Sequence, residues 1–264
     1  MTARYAPVAG RPVGDAGGWR VVTLADVAST MDEARRLAES GAEDATVVRA
    51  LRQTGGRGRL GRAWNSPPGN LYSTAILRPD VPTARAAELS IVAAVATAEA
   101  VACFGGPVTL KWPNDVLLDG GKVAGILLEA VTEGPRLSAV LIGIGVNVAS
   151  RPDLPDRPTA RVETADVETV FAALLEALDR RYRQWLRDGL AGIRPAWLAR
   201  GPAIGAPITI SQGAGRLDGR FAGLEPDGTL VLALADGSTR GGHLLAGTVR
   251  PTLEVVLTEV PATL

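Results

Sequence analysis

The apolar positions in the first 150 residues follow two periods, one typical of strands and one typical of helices. A helical spacing at 30–39 begins with a capping box, in which Thr30 is the expected cap and Glu33 follows three residues later. An Ala/Val/Leu/Ile-rich run predicts a longer helix at 83–104. Alternating or β-branched runs predict strands at 21–24, 46–51, 71–77, 108–112, 116–118, 122–132 and 137–148. Tight turns between them, such as 119–121, predict a mostly antiparallel sheet.

The pattern changes in the second half of the chain. Three prolines at 151–158 indicate a surface linker, and amphipathic spacing predicts helices at 163–190 and 193–200. Short strands separated by Gly/Asp turns follow, at 207–211, 216–224, 229–234, 238–244 and 248–250. Five short strands within about fifty residues are typical of a small closed barrel or sandwich. We therefore predict two domains, at 1–203 and 204–264.

Composition excludes several classes of function. Hydrophobic residues make up 46% and charged residues 21% of the 264 residues, as in a globular protein, and the formal net charge of zero argues against a nucleic-acid or membrane-surface binder. The single histidine (His243) and single cysteine (Cys103) exclude the usual zinc clusters and a Cys–His nucleophile pair. Cys103 lies in an apolar, alanine-rich run at 91–104 and is expected to be buried. Without a signal peptide or a bilayer-length apolar run, a cytoplasmic protein without membrane contact is expected.

Positive charge is concentrated in one glycine-rich segment. No acidic residue lies between Asp44 and Asp80, whereas six arginines do: Arg49, Arg52, Arg57, Arg59, Arg62 and Arg78. The segment 53–64, which we call the Gly/Arg loop, carries glycines that allow close backbone approach and arginines that hold phosphate oxygens. It matches neither a Walker loop nor a Rossmann turn. By itself it fits an RNA-contacting segment or a solvated loop equally well, and Trp64 fits either base packing or a core position.

Two further segments carry candidate chemistry. The only lysines among 28 basic residues, Lys111 and Lys122, lie eleven positions apart, which favours a role that needs a compact ammonium. Across the predicted hairpin, Lys122 is expected near Asp115, whose carboxylate would orient it. The strand at 143–148 has two glycines, which often indicate close approach of a ligand or another backbone. Asn147 needs a polar partner there, and a neighbouring main-chain group would be sufficient.

Four motifs in this order resemble those of the biotin–protein ligases, that is, biotin–[acetyl-CoA-carboxylase] ligases. They are Gly-Arg-Gly-Arg-x-Gly-Arg-x-Trp at 56–64, Lys-Trp-Pro-Asn-Asp at 111–115, Lys-x-Ala-Gly-Ile-Leu at 122–127 and Gly-x-Gly-x-Asn at 143–147. The resemblance extends from about residue 21 to residue 250. It implies an α+β fold in which a mixed, mostly antiparallel sheet with helices, similar to class II aminoacyl-tRNA synthetases, precedes an SH3-like β-barrel.

The resemblance also implies a reaction in two steps. Biotin's carboxylate attacks the α-phosphate of ATP, forming biotinyl-5′-AMP and pyrophosphate, and a lysine of the biotin carboxyl carrier protein of acetyl-CoA carboxylase then displaces AMP. Because a carboxylate is ionised at pH 7, the first step needs no general base but needs cations and N–H groups around the phosphate. Mg²⁺ is expected to accompany ATP, with no metal site made by the protein alone.

Site residues follow from the same resemblance. Lys122 and Arg59 are the expected catalytic residues. Biotin is expected to contact Ser29, Thr30, Gln53, Gly56, Arg57, Gly125 and Leu127. ATP and the adenylate are expected to contact Arg57, Arg59, Arg62, Trp64, Lys111, Asn114, Asp115, Lys122 and Asn147.

Two alternatives stay open at this point. A lipoate–protein ligase or octanoyltransferase shares the superfamily, although the Gly/Arg loop and terminal barrel favour biotin. An RNA-binding module is opposed by the zero net charge and few aromatic residues. Only 28 residues precede Ser29, which is too few for a DNA-binding domain of roughly 60 residues, so no specific DNA binding is expected.

Overall fold

The structure is a computed structural model that describes residues 18–155, 157–212, 215–245 and 254–259. Its first seven strands are β1 (Arg20–Val27), β2 (Thr46–Gln53), β3 (Leu71–Leu77), β4 (Val108–Lys111), β5 (Asp115–Leu118), β6 (Gly121–Glu133) and β7 (Arg136–Val146). They form one sheet in the order β1-β2-β3-β7-β6-β5-β4, in which β1 is parallel to β2 and all other neighbours are antiparallel. The predicted mixed, mostly antiparallel sheet is confirmed.

The first two helices differ in how well their bounds were predicted. Helix α1 (Thr30–Glu39) has the predicted bounds. Helix α2 (Glu88–Ala102) is shorter than the predicted 83–104, because Thr83–Ala87 form a 3₁₀ helix instead. In that turn the Arg85 amide donates to the carbonyl of Pro82, three residues earlier, at 2.9 Å.

Helix α2 is buried on nearly all sides, because it lies between the central sheet and the next helix, α3 (Val167–Leu198). Its even spread of Ala, Val, Ile and Leu suits such a position, since no face meets solvent. The expectation that Cys103 is buried was wrong: the residue caps the carboxyl end of α2 and is exposed, because the helix leaves the core there.

Helix α3 joins the two helices that were predicted at 163–190 and 193–200. It begins at Val167 and not at residue 163, because the Asp166 side chain accepts a hydrogen bond from the Thr169 amide at 2.8 Å and caps it. The interruption was predicted between residues 190 and 193 but occurs at Gly189, whose φ of 64° and ψ of −165° break the helical path. Such a backbone conformation strongly favours glycine.

A second sheet contains β8 (Pro207–Gln212), β9 (Gly215–Leu224), β10 (Leu230–Ala233), β11 (Thr239–Leu245) and β12 (Glu254–Glu259), paired consecutively and antiparallel. Four strands agree with the prediction to within one residue at either end. The predicted strand at 248–250 lies outside the described residues, and β12 was not predicted.

One hydrophobic core runs from the central sheet into the second sheet. Trp197 at the end of α3 packs against Phe221 of β9, with ring centroids 6.1 Å apart. The division into domains at 203 and 204 therefore stays a prediction. Among the described residues, no helix combines the length and apolar character that crossing a membrane would require.

Candidate active site

The residues expected from the motifs converge on one cavity of about 1100 Å³. Of the fifteen residues that were expected at the site, fourteen line this cavity, and Gly56 does not. The cavity lies over the β6 and β7 face of the central sheet, is covered on one side by the Gly/Arg loop, and reaches the first strand of the second sheet at Pro207 and Ile208. All four motifs therefore contribute residues to one cavity.

Uncharged polar groups form a continuous hydrogen-bonded chain at one end of the cavity. Gln53 Oε1 accepts from the Thr30 amide at 2.8 Å and from Thr30 Oγ1 at 3.1 Å. Thr30 Oγ1 accepts from Thr74 Oγ1 at 2.9 Å. On the other side, Gln53 Nε2 donates to Ser66 Oγ at 3.0 Å, and Ser66 Oγ donates to the carbonyl of Trp64 at 2.9 Å. We call Thr74, Thr30, Gln53 and Ser66 the amide relay.

The amide relay also explains why the predicted cap of α1 was wrong by one residue. Ser29, and not Thr30, caps the helix: its Oγ accepts from the Met31 amide at 3.2 Å. Thr30 instead directs its amide and hydroxyl to Gln53. Ser66 and Thr74 were not predicted as site residues, because neither belongs to a motif and only the folded chain brings them to Gln53.

Trp64 forms part of the cavity lining and packs on two glycines of the sheet. A Cβ atom added at Gly145 would lie 2.7 Å from Trp64 Nε1, and one added at Gly125 would lie 3.0 Å from Trp64 Cζ3. Real Cβ atoms essentially never make contacts below 3.0 Å. These positions are therefore glycine because the indole ring occupies the space of their side chains. The sequence predicted a ligand or another backbone near the glycines at 143–148, whereas at Gly145 the neighbour is the Trp64 side chain.

We expect Gly145→Ala to displace the Trp64 ring and to lower the free energy of unfolding by about 1–3 kcal/mol, because the new methyl group overpacks the contact. The displacement is measured as a change in tryptophan emission, assigned to Trp64 by repeating both spectra in a Trp64→Phe background. Gly58→Ala is the control, since its Cβ would make an ordinary 3.5 Å contact with the Arg62 carbonyl. A Gly145→Ala protein with unaltered emission and stability would contradict this packing.

Lys122 of β6 and Asp115 of β5 form an ion pair on the far side of the cavity from the amide relay, since β7 and β6 separate β5 from β3, which carries Thr74. Lys122 Nζ lies 2.5 Å from Asp115 Oδ1, and the two side chains are only 18% and 14% exposed. The Lys122 ammonium also lies 5.4 Å from the centroid of the Trp64 ring, within range of a cation–π contact. The sequence prediction that Lys122 approaches Asp115 across the hairpin is confirmed.

Two arginines of the Gly/Arg loop have different environments. Arg57 donates to both carboxylate oxygens of Asp32 in α1, at 2.8 and 2.5 Å, and this hydrogen bonding raises the pKa of Arg57. Arg59 is more deeply placed and donates to Asn114 Oδ1 at 3.1 Å; its burial lowers the pKa of the guanidinium. Both remain charged at neutral pH, because an arginine pKa starts far above 7. Asp32 was not predicted as a site residue. Its carboxylate balances the charge of Arg57.

Other predicted residues are held mainly by the main chain. Asn114 Nδ2 donates to the Ile126 carbonyl at 2.7 Å, which fixes the side chain that meets Arg59. Asn147 is buried, and its Nδ2 donates to the carbonyls of Ala160 at 3.0 Å and Lys122 at 3.3 Å. Main-chain groups therefore supply partners for the Asn147 amide, as the sequence had allowed. Arg62 and Lys111 are exposed at the cavity rim.

Gly56 lies behind the cavity wall. A Cβ atom there would come within 2.5 Å of the Trp64 carbonyl oxygen, 2.6 Å of Ser66 Oγ and 3.0 Å of Gln53 Nε2. Glycine at this position leaves room for the amide relay. The cavity contains few carboxylates, and in the described part of the chain no three His, Cys, Asp or Glu side chains are grouped to hold a metal ion.

Comparison with known proteins gives a consistent result. The model of the biotin/lipoate A/B protein ligase family matches residues 25–147. A biotin–[acetyl-CoA-carboxylase] ligase of Paracoccus denitrificans is 42% identical over 222 residues, covering 79% of this chain and 92% of that protein. The bifunctional ligase/repressor BirA of Bacillus subtilis is 35% identical over 222 residues, covering 80% of this chain and 68% of that protein. A biotin protein ligase structure from Aquifex aeolicus, in complex with biotin and ATP, superposes with a TM-score of 0.71 at 25% identity, covering 91% and 99% of the two chains.

Proposed function

This chain belongs to the biotin–protein ligases of the biotin/lipoate A/B protein ligase family, and from that membership we propose which of its residues perform each step of the reaction. It condenses biotin with ATP to biotinyl-5′-AMP and transfers the biotinyl group to a lysine of the biotin carboxyl carrier protein of acetyl-CoA carboxylase. The observation that carries the proposal is the polarity of the cavity: an uncharged amide relay at one end and cations at the other. Biotin has the same polarity, with a neutral ureido ring and an ionised carboxylate.

The ureido end of biotin is bound by Ser29, Thr30 and Gln53. A ureido ring offers two N–H donors and one carbonyl acceptor, which hydroxyl and amide groups can match without a charge. Leu127 and the main chain near Gly125 lie along the same wall, and buried Ile126 beside them gives the apolar surface that the thioether ring and valeryl chain need. The carboxylate of biotin is thereby directed toward Lys122.

In the first step, a carboxylate oxygen of biotin forms a bond to the α-phosphorus of ATP, and the bond from that phosphorus to the bridging oxygen of pyrophosphate breaks. Negative charge accumulates on the phosphoryl oxygens during this exchange. Lys122, Arg59 and Arg62 supply fixed positive charge there, which stabilises the transition state more than the separated reactants. Asp115 orients the Lys122 ammonium, and Asn114 orients Arg59.

In the second step, the neutral ε-amine of the carrier lysine attacks the acyl carbon of biotinyl-5′-AMP. An amide bond forms, the acyl–phosphate bond breaks, AMP departs with the bond's electron pair, and the amine loses a proton. Trp64, Lys111 and Asn147 bind the nucleotide until that attack, and Asp115 is the candidate to receive the proton. Arg57 covers the substrates as part of the Gly/Arg loop, and Asp32 holds it in place through two hydrogen bonds.

Mg²⁺ enters this proposal as a companion of ATP. Mg²⁺ in nucleotide sites is held by one or two protein carboxylates together with substrate phosphates and water. Asp115 supplies one carboxylate and Asn114 one amide oxygen, but Asp115 Oδ1 is paired with Lys122 and Asn114 Oδ1 accepts from Arg59, so Mg²⁺ would be held mainly through the phosphates of ATP. When bound, Mg²⁺ would neutralise phosphate charge. We also propose that the second sheet is the SH3-like barrel of the family and that the central domain is related to class II aminoacyl-tRNA synthetases.

Biotin-dependent exchange of labelled pyrophosphate into ATP tests the proposed function. We expect exchange with biotin, none above background with lipoate or octanoate, and labelling of a carrier-protein lysine when the carrier is added. Mass spectrometry of the enzyme after incubation with biotin and ATP should detect biotinyl-5′-AMP. Exchange with lipoate but not with biotin would favour the lipoate–protein ligase alternative. No exchange with any of these acids would contradict the assignment.

A further inference from the structure

The hydrogen atoms of the amide relay can be assigned from its two ends. The Thr30 main-chain N–H can only donate, and the Trp64 carbonyl can only accept. Gln53 must therefore present its side-chain oxygen to Thr30. If the side-chain nitrogen lay there instead, two N–H donors would face each other. Ser66 must give its only hydroxyl hydrogen to Trp64, so that it can only accept from Gln53. The two main-chain groups thus fix the orientation of the Gln53 side chain.

The same reasoning assigns the two threonines. Because Gln53 Oε1 can only accept, the Thr30 hydroxyl must donate to it. The Thr30 oxygen then has no second hydrogen to give, so Thr74 must donate to Thr30. Thr74 is fully buried, and Thr30 and Ser66 are 4% exposed, so water competes little for these groups.

This assignment determines whether each cavity-facing group can donate a hydrogen bond to a ligand or accept one from it. Gln53 Oε1 already accepts twice, so that Gln53 can contact a ligand only as a donor, through the second hydrogen of Nε2. Thr30 Oγ1 donates once and accepts once, so that it can contact a ligand only as an acceptor. A ligand that fits must offer an acceptor beside a donor, as the carbonyl and N–H groups of a ureido ring do.

We propose that Ser66, which does not line the cavity, and Thr74, which borders the cavity but is fully buried, are positioning residues that set this donor–acceptor polarity and thereby select the ureido ring of biotin. This inference rests on the proposed function. Gly56 supports it independently, because its missing side chain leaves the space that Ser66, Gln53 and the Trp64 carbonyl occupy. Trp64 connects the two ends of the cavity. Its carbonyl accepts from Ser66 of the amide relay, and its indole ring packs near the Lys122 ammonium.

Two variants test the role of the outer hydroxyls. Thr74→Val and Ser66→Ala each remove one hydroxyl with little change in shape. We expect the KM for biotin in pyrophosphate exchange to rise about tenfold in each, because a buried group of Thr30 or Gln53 loses its partner. The KM for ATP and the kcat at saturating biotin should stay within about twofold. Thr74→Ser should restore the wild-type KM, since it returns the hydroxyl.

Helix α2 offers matched controls for both changes. Thr97 and Ser90 are fully buried there, and within the described residues their hydroxyls have no hydrogen-bond partner. Thr97→Val and Ser90→Ala repeat the same chemical changes outside the cavity and should leave the KM for biotin unchanged. Thermal unfolding of all five variants separates an effect on stability from an effect on binding.

An analogue of biotin tests directly whether Gln53 acts as a hydrogen-bond donor to the ligand. In 2-iminobiotin a protonated guanidinium replaces the ureido, so the ring offers only donors. The wild-type enzyme should discriminate against it, because the Gln53 donor would face a donor. In Ser66→Ala the Gln53 amide is no longer fixed at its nitrogen, and the preference for biotin over 2-iminobiotin, as a ratio of kcat/KM values, should fall about tenfold.

The outcomes separate this inference from the proposed function. A wild-type chain that activates no biotin would refute the proposed function. If the wild type is active, an unchanged KM for biotin in both variants would overturn the inference. Equal rises in the KM for biotin and for ATP, failure of Thr74→Ser to restore binding, or an unchanged ratio for 2-iminobiotin would each do the same, because they indicate a general packing role.

Discussion

Replacing Lys122 by alanine is expected to slow biotin-dependent pyrophosphate exchange by about 100- to 1000-fold, the usual effect of removing one group that stabilises transition-state charge. Lys122 is one of only two lysines, and its side chain is only 18% exposed in the cavity. Its loss would also leave the Asp115 carboxylate without its 2.5 Å partner, next to the phosphates of ATP. Exchange kinetics at saturating substrates measure the effect, and the thermal unfolding temperature shows whether the variant is folded.

A double variant separates two explanations of that loss. If Lys122 acts only by neutralising Asp115, then Lys122→Ala/Asp115→Asn should regain most of the activity, since the unpaired carboxylate is gone. If Lys122 acts on the reacting phosphate, as we propose, the double variant should remain as slow as Lys122→Ala. Lys122→Arg should also stay poorly active, because a planar guanidinium cannot replace a compact ammonium at a packed site. Wild-type activity in Lys122→Ala would refute the catalytic role.

The parts of the site that could be predicted from sequence are those within short motifs. The pairing of Lys122 with Asp115 followed from a predicted hairpin, since β5 and β6 are adjacent in the chain as well as in the sheet. Helix α1 and strand β3 had the predicted bounds for a similar reason, because the sequence pattern within each segment determines its extent.

What the sequence did not reveal depends on contacts between distant segments. The amide relay joins Thr74, Thr30 and Gln53, which belong to three different elements. Without that geometry, Thr30 was a better cap than Ser29 by its spacing from Glu33, and the hydrogen bonds to Gln53 reversed the choice. Asp32 was equally undetectable, since nothing in its local sequence indicates a partner twenty-five positions away in Arg57.

The two loop arginines show why charge alone does not define a role. Arg57 and Arg59 are separated by one glycine and have the same chemistry in the sequence. In the fold, Arg57 is balanced by a carboxylate at the half-exposed edge, whereas Arg59 is partly buried and meets a neutral amide oxygen. Because Arg59 is more deeply buried than the half-exposed Arg57, its charge interacts more strongly with an anionic ligand in the cavity. Retention of the adenylate should therefore depend more on Arg59 than on Arg57.

Replacing Arg59 by glycine should release biotinyl-5′-AMP into solution. Losing a charge-assisted contact to a phosphate at a partly buried site corresponds to about a 10- to 100-fold faster dissociation of the adenylate. The released mixed anhydride should then biotinylate lysines of a bystander protein such as serum albumin, detected by streptavidin blotting. Arg62→Gly is the matched comparison, because Arg62 belongs to the same loop but is exposed at the rim, and per biotinyl-5′-AMP formed it should release much less. Asn114→Ala should give an intermediate release, since Arg59 loses the acceptor that lies 3.1 Å from its Nη1. Equal bystander labelling by the Arg59 and Arg62 variants would show that the loop's total charge, and not the position of Arg59, retains the intermediate.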